Sequence, residues 1–222
     1  MAAIRLNRTA WIAFALLNAL LLALIFFLLQ IRAERTELAQ LNDFGAAVYP
    51  EPLPLEEISL TDQAGQPFGL DRMRGAWSLV FFGFSNCPDM CPLTLSELGD
   101  FYRARTESAQ PPLNVLFVSV DPADTPEIIG EYLLGFHPDF IGLSGTTGNV
   151  NAFAGQLFVN TGAAESSVHG GHAPPAGSPE GFISHSIHMG LINPSGELVG
   201  LLRPPHRADD IARALETIFR RA

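Results

Sequence analysis

Cysteine is scarce in this sequence: 222 residues carry two, Cys87 and Cys91. Two thiols so close together cannot form the multi-bridge framework of a small secreted domain. The fold must rest on an apolar core, which a chain of this length can bury as one domain with appendages. Positive charge is scarce as well. Lys and Arg number 13 against 23 Asp and Glu, a net charge of −10. So acidic a chain lacks the basic face that phosphate recognition demands, which excludes nucleic acid as a partner.

Charge of either sign is absent from Thr9 to Ile31, a run of mostly Leu, Ala, Ile and Phe interrupted by Asn18. About 20 residues at ~1.5 Å each cross a hydrocarbon core of roughly 30 Å, so the run is long enough to span a bilayer. A cleavable signal has an apolar segment of only about 7–15 residues with a small-residue cleavage site close behind. Here Gln30, Ile31 and Arg32 follow and no such site adjoins. Trp11 suits the interfacial aromatic belt. The expectation is a single-pass anchor within residues 1–32. Arg5, Arg8 and the amino terminus precede it, whereas Arg32 and Arg35 follow it mixed with Glu34 and Glu37. The positive-inside count favours a cytoplasmic N-terminus, with the folded part outside the cytoplasm. Residues 33–54 read as a stalk and linker: Ala33 to Phe44 is helix-compatible, a short continuation of the helix or a stalk, and Pro50, Pro52 and Pro54 then make a stiff extended spacer.

From residue 55 to 222 the pattern is that of a folded domain. Ile58 to Leu70 flanks Asp62-Gln63-Ala64-Gly65, a hairpin with a Gly-containing loop. Ser78–Phe84 and Asn114–Val120 are short apolar runs that read as buried strands, and Phe140–Leu143 is a further short strand. Between them lie helices: Leu93–Arg105, with Leu95, Leu98, Phe101 and Tyr102 facing inward; a helix from Asp124-Thr125-Pro126 to about Phe136; and Thr147–Phe158. Residues 160–181, rich in Gly, Ala, Ser and Pro, form a loop insertion holding His169 and His172. Ser186–Ile192 and Glu197–Leu202 flank the turn Asn193-Pro194-Ser195-Gly196, and Asp209–Arg220 closes the chain as an amphipathic helix. Strands alternating with helices indicate an α/β fold with at least partly parallel strands.

The chain is organised around W-S-L-V-F-F-G-F-S-N-C-P-D-M-C-P, Trp77 to Pro92: strand, tight loop, two thiols, helix. Either Pro88 or Pro92 suits the first turn of that helix. A thiol there lies near unpaired backbone N–H groups and the positive end of the helix dipole, which favour the thiolate. With three residues between them, Cys87 and Cys91 face the same way if the intervening turn is roughly helical. That leaves open a reversible disulfide, a two-sulfur clamp on a soft metal, or a static disulfide or pair of core thiols. Solvated histidines are the plain reading of His169 and His172, with an accessory part in metal capture as the alternative. His185, at the mouth of the insertion, and His188, three residues on and on the opposite strand face, compete for any functional part.

Taken together, F-F-G-F-S-N-C-P-D-M-C-P, V-S-V-D-P-A-D-T-P-E, F-H-P-D-F-I-G-L-S-G-T and H-S-I-H-M-G-L-I-N-P-S-G resemble the Sco/SenC family of membrane-anchored copper proteins, over about Leu55 to Arg221. The resemblance implies a thioredoxin-like domain, a central mixed sheet flanked by helices, behind an N-terminal transmembrane helix. It implies copper as cargo, held by Cys87, Cys91 and His185, and delivery to cytochrome c oxidase subunit II. An upstream periplasmic copper donor, the inner (cytoplasmic) membrane and a periplasm-facing domain are implied with it. Two thiolates and an imidazole suit Cu(I), while Cu(II) needs an added ligand. Asp121 is implied as a tuner of the site, against the plainer reading of a loop-capping carboxylate. Departures are Ser184 where the family commonly has Asp, a D-P-A-D-T-P segment one residue short and a longer His-bearing loop. The rival to a non-enzymatic carrier is a thiol–disulfide oxidoreductase in which Cys87 and Cys91 cycle to keep a partner's cysteines reduced. C-x-x-x-C departs from the C-x-x-C of dedicated thioredoxins.

Overall fold

A computed structural model describes residues 8–105, 110–161 and 187–221, with residues 8–10 described by their backbone alone. Eight strands form one mixed sheet in the order β1-β8-β7-β4-β5-β6-β2-β3. In chain order they are β1 (Ala46–Pro54), β2 (Leu60–Asp62), β3 (Pro67–Phe68), β4 (Trp77–Gly83), β5 (Leu113–Ser119), β6 (Ile141–Ser144), β7 (Met189–Ile192) and β8 (Glu197–Leu202). The helices are α1 (Arg8–Asp43), α2 (Met90–Ala104), α3 (Pro126–Leu134), α4 (Thr147–Gln156) and α5 (Ala208–Phe219).

The centre is β4, parallel to β5 and antiparallel to β7. All its seven residues are buried, which explains why Trp77-Ser-Leu-Val-Phe-Phe-Gly83 reads as one apolar run instead of an alternation. Successive side chains still leave by opposite faces. Leu79 and Phe81 join the core under α1, α2, α3 and α5, while Val80 and Phe82 join a second core with Phe153, Ala154 and Leu157 from α4 and its end. This is the helix-flanked mixed sheet of a thioredoxin-like domain. Both β5 and β6 continue parallel from β4, each through its own crossover helix, so the C-terminal ends of these strands share one pole of the domain.

Local chemistry sets the helix starts. Thr125 caps α3, its hydroxyl accepting from Ile128 N–H at 3.4 Å with Pro126 in the first turn. Thr146 does the same for Asn149 N–H in α4. The expected strands, helices and hairpin all form, with ends shifted by a few residues.

One feature follows the reading of a helical continuation beyond the apolar run, and one differs from expectation. The apolar run and the stalk are one helix: α1 is 36 residues long and continues without a break through the charged segment. By length and composition its apolar part is long and apolar enough to cross a membrane. The proline-rich spacer is extended, as read, but does not stand free. It is β1, paired antiparallel with β8 from Ala46↔Leu202 to Pro54↔Glu197, and it bulges away between Val48 and Leu53. Proline has no N–H to give a ladder, so a strand with Pro50, Pro52 and Pro54 is tolerated at a sheet edge. Proline chemistry by itself argues for a linker, because nothing in this segment reveals a partner that arrives at residue 197.

Candidate metal centre

The cysteines lie where β4 ends. Cys87 N–H donates to Phe84 O at 3.3 Å in the turn after the strand, and Cys91 is the second residue of α2, with Pro92 following in its first turn. Neither is in a disulfide; Cys87 is half-buried and Cys91 fully buried. Their side chains interact, and the Phe84 backbone N–H acts on the Cys91 sulfur. Gly83 makes the room: a Cβ there would lie 2.9 Å from Cys91 Sγ and 2.8 Å from the Phe117 ring.

Burial decides the electrostatics of Cys91. Desolvation pushes its thiol up to about 12, reinforced by the Cys87 sulfur and by the charge of Asp124, while the Phe84 N–H pulls the other way without prevailing. The expectation that the helix start favours a thiolate therefore fails at Cys91. In the metal-free state this thiol keeps its proton until a soft cation or an oxidant displaces it.

Asp124, which in sequence stands only at the start of the α3 segment, is part of the site in the fold. It is buried, and one carboxylate oxygen accepts from Ser85 N–H at 2.8 Å and Ser119 Oγ at 2.5 Å. The other accepts from Ser85 Oγ at 2.5 Å. The carboxylate thus ties the turn leading into Cys87 to the end of β5. Asp121 is the one that caps its loop, accepting from Ala123 N–H at 2.9 Å. Tyr132 is a residue that sequence reading missed. Its hydroxyl is buried with no partner among the described residues, and burial first, then the two cysteines and Asp124, push its ionisation up. A buried hydroxyl this close to two thiols was invisible in sequence, because only the packing of α3 on β5 brings it there.

His185, His169 and His172 lie outside the described residues, and so does Ser184. Among the described residues no three His, Cys, Asp or Glu side chains cluster as a metal site. The segment after His185 is described from Ile187. Ile187 O is held by His206 Nε2 at 2.6 Å, and β7 begins two residues later beside Val80 of β4. Because β7 runs antiparallel to β4, this segment joins the sheet from the pole that holds the cysteines. Burial lowers the pKa of His206. His188 is half-buried with Nε2 3.2 Å from Leu157 O, which suits a structural part.

The family model for SCO1/SenC matches residues 53–220. The chain belongs to the SCO1/SenC family. It is 32% identical over 205 residues to a Stutzerimonas stutzeri protein whose assigned name suggests copper binding, covering 91% of this chain and 94% of that one. It is 33% identical over 157 residues to the mitochondrial protein SCO1 of Saccharomyces cerevisiae, covering 69% of this chain and 50% of that one. The chain thus spans about half the length of that yeast relative. Among solved structures, copper-bound Arabidopsis thaliana ScoI aligns with a TM-score of 0.64 at 27% identity, covering 75% of this chain and 98% of that one. Copper-bound yeast Sco1 aligns at 0.60 and 29%, covering 73% and 86%.

Proposed function

We propose that this SCO1/SenC protein is a membrane-anchored copper carrier that delivers its ion to the dinuclear copper centre of cytochrome c oxidase subunit II. The observation that carries the reading is the pair of unbridged, interacting thiols at the end of β4, in a family whose relatives are solved with copper bound. Cys87, Cys91 and His185 are proposed as the ligands. Two interacting thiols fit a soft cation of low coordination number, and an imidazole completes the set for Cu(I). A site with three protein ligands and one half-exposed sulfur suits ligand-by-ligand transfer, which a closed four-ligand cage would resist. Binding releases the proton held by the buried Cys91 thiol, so affinity rises with pH. The soluble domain, from about residue 33 onward, is proposed to face the periplasm, with α1 in the inner membrane and a periplasmic donor supplying the ion.

The rival reading, a thiol–disulfide oxidoreductase acting on the partner's cysteines, is favoured by one observation. A half-exposed sulfur above a buried one is the arrangement of an attacking and a resolving thiol. Anaerobic titration of the reduced protein with Cu(I) against a competing chelator separates the two. One tightly held ion, lost in Cys87→Ala and Cys91→Ala and weakened at least about tenfold in His185→Ala, is the carrier's result; tenfold is about 1.4 kcal/mol. Weak binding indifferent to His185→Ala makes the thiols a redox couple instead. His169→Ala with His172→Ala is expected to leave affinity unchanged.

A further inference from the structure

The chain direction of each element relative to α1 fixes which pole of the domain faces a membrane. The last two turns of α1 are clamped along the domain. Leu41 is 1% exposed and belongs to the same core as Ile211, Ala214 and Leu215 of α5. Glu37 pairs with Arg221 at 3.7 Å, the Arg213 guanidinium lies 5.8 Å from the Phe44 ring centre, and Asn42 Oδ1 accepts from Arg203 at 2.5 Å. Lower residues of α1 therefore meet higher residues of α5, so α5 runs back toward the apolar run. Phe219, near its end, lies 4.9 Å from Trp77, the first residue of β4. From Trp77, β4 runs in the same sense as α1, away from the apolar run, for about 20 Å at ~3.3 Å per residue. The cysteines stand at its far end.

The near pole carries the C-terminal end of α5, the Asn193–Gly196 turn between β7 and β8, and the bulge of β1. Between them lies a cavity of about 670 Å³ lined by Tyr49, Pro52, Trp77, Pro194, Phe219 and Arg221 among others. Its height follows from the helix. Glu37 lies six residues beyond Ile31, about 9 Å along the axis at ~1.5 Å per residue. The headgroup layer on each side of a bilayer is roughly 5–8 Å thick.

We propose that this pole, with Tyr49, the 193–196 turn, Phe219 and Arg221, rests on the lipid headgroups, and that the clamp on α1 holds the cysteine pole facing away from the bilayer. The inference rests on the anchor reading above. The occupant is a lipid surface and the contact is set by geometry, since a chain of net charge −10 gains nothing from anionic lipid. Half-buried Tyr49 and Phe219, with exposed Pro52 and Pro194 and one exposed arginine, match the chemistry of the headgroup region. The cysteines then stand about 30 Å beyond the hydrocarbon edge, the sum of the helix and strand rises. Any acceptor has to present its ligands on a domain that rises that far.

The test uses the full chain in phosphatidylcholine vesicles containing a headgroup-nitroxide lipid. A fluorophore is placed on the near pole, through Ser195→Cys in a Cys87→Ser, Cys91→Ser background, or on the far pole, through Cys87 in Cys91→Ser. Ser195 is exposed, so labelling it leaves the core alone. Nitroxide lipid is expected to quench the Ser195 label at least about twofold and leave the Cys87 label unchanged. Arg203→Ala with Arg221→Ala, which loosens the clamp, is expected to reduce that difference. Equal quenching at both sites, quenching at neither, or stronger quenching at Cys87 overturns the proposal. Vesicle flotation is read on the same samples. A chain that fails to float overturns the anchor reading and the proposal with it, whereas floating chains with a flat quenching pattern overturn the proposal alone.

Discussion

Cys87 and Cys91 are chemically unlike although four residues apart. Burial keeps Cys91 protonated up to about 12 while Cys87 meets solvent. Brief alkylation of the reduced protein near about pH 8 is expected to give one adduct, on Cys87, as read by peptide mass spectrometry, since attack needs both thiolate and access. The same burial predicts an alkaline weakness. A thiol whose folded pKa is raised above its ordinary 9.0 binds more protons in the folded state than in the unfolded one between those values. Stability contributed by the neutral thiol is therefore present below about 9 and lost as pH climbs toward 12. The urea midpoint of the reduced protein is expected to fall from about pH 8 to about pH 10.5, and to fall less in Cys91→Ala. Asp124→Ala strands a backbone N–H and two hydroxyls at the turn before Cys87, with an expected loss of about 2–4 kcal/mol in denaturant unfolding. Sequence could show that two aspartates flank Pro122-Ala123. It could not show which one turns inward, because the Ser85 donors in the turn after β4 and the Ser119 donor at the end of β5 meet only in the fold.

At the scale of elements, the sequence was most legible where local period and capping agree: β4, β5, the hairpin of β2 and β3, and α2 to α5. It was least legible at β1, where proline chemistry argues for a linker while the backbone of β8 recruits the segment as an edge strand. Gly200 permits that pairing. A Cβ at this position would strike Ala47 O and the Val48 backbone, so the two strands meet closely only because residue 200 is glycine. Gly200→Val is expected to cost about 1–3 kcal/mol and to abolish hydrogen-exchange protection in β1, leaving β4 and β5 protected. Loss of protection across the whole sheet would show instead that β1 is integral to the core.

On the scale of the whole molecule, anchor, stalk and domain were expected as three successive parts, and the structure joins the second to the third. Leu41, Ala46 and the β1–β8 ladder put residues before position 55 inside the cooperative unit. A chain trimmed to begin near residue 33 is expected to keep nearly the full urea midpoint, and one trimmed to begin at residue 55 to lose a large part of it. The Leu41 side chain alone is worth about 2–5 kcal/mol on truncation to alanine. Equal midpoints would return β1 to the status of a tether. The family's reach over residues 53–220 does not mark this boundary, because a shared domain model records what relatives have in common and the clamp on α1 is written in residues before it.

The β1–β8 edge also imposes an order of events on synthesis. Ala46 emerges well before its partner Leu202, so this seam can close only once the strands between them in sequence have been made. Until then the nascent strand waits with its backbone unsatisfied, the situation in which exposed strands recruit one another. Pro50, Pro52 and Pro54 deny such a stranger three of the donors it would need. The residues that disguise this strand as a linker are thus also those that keep it solitary during the wait.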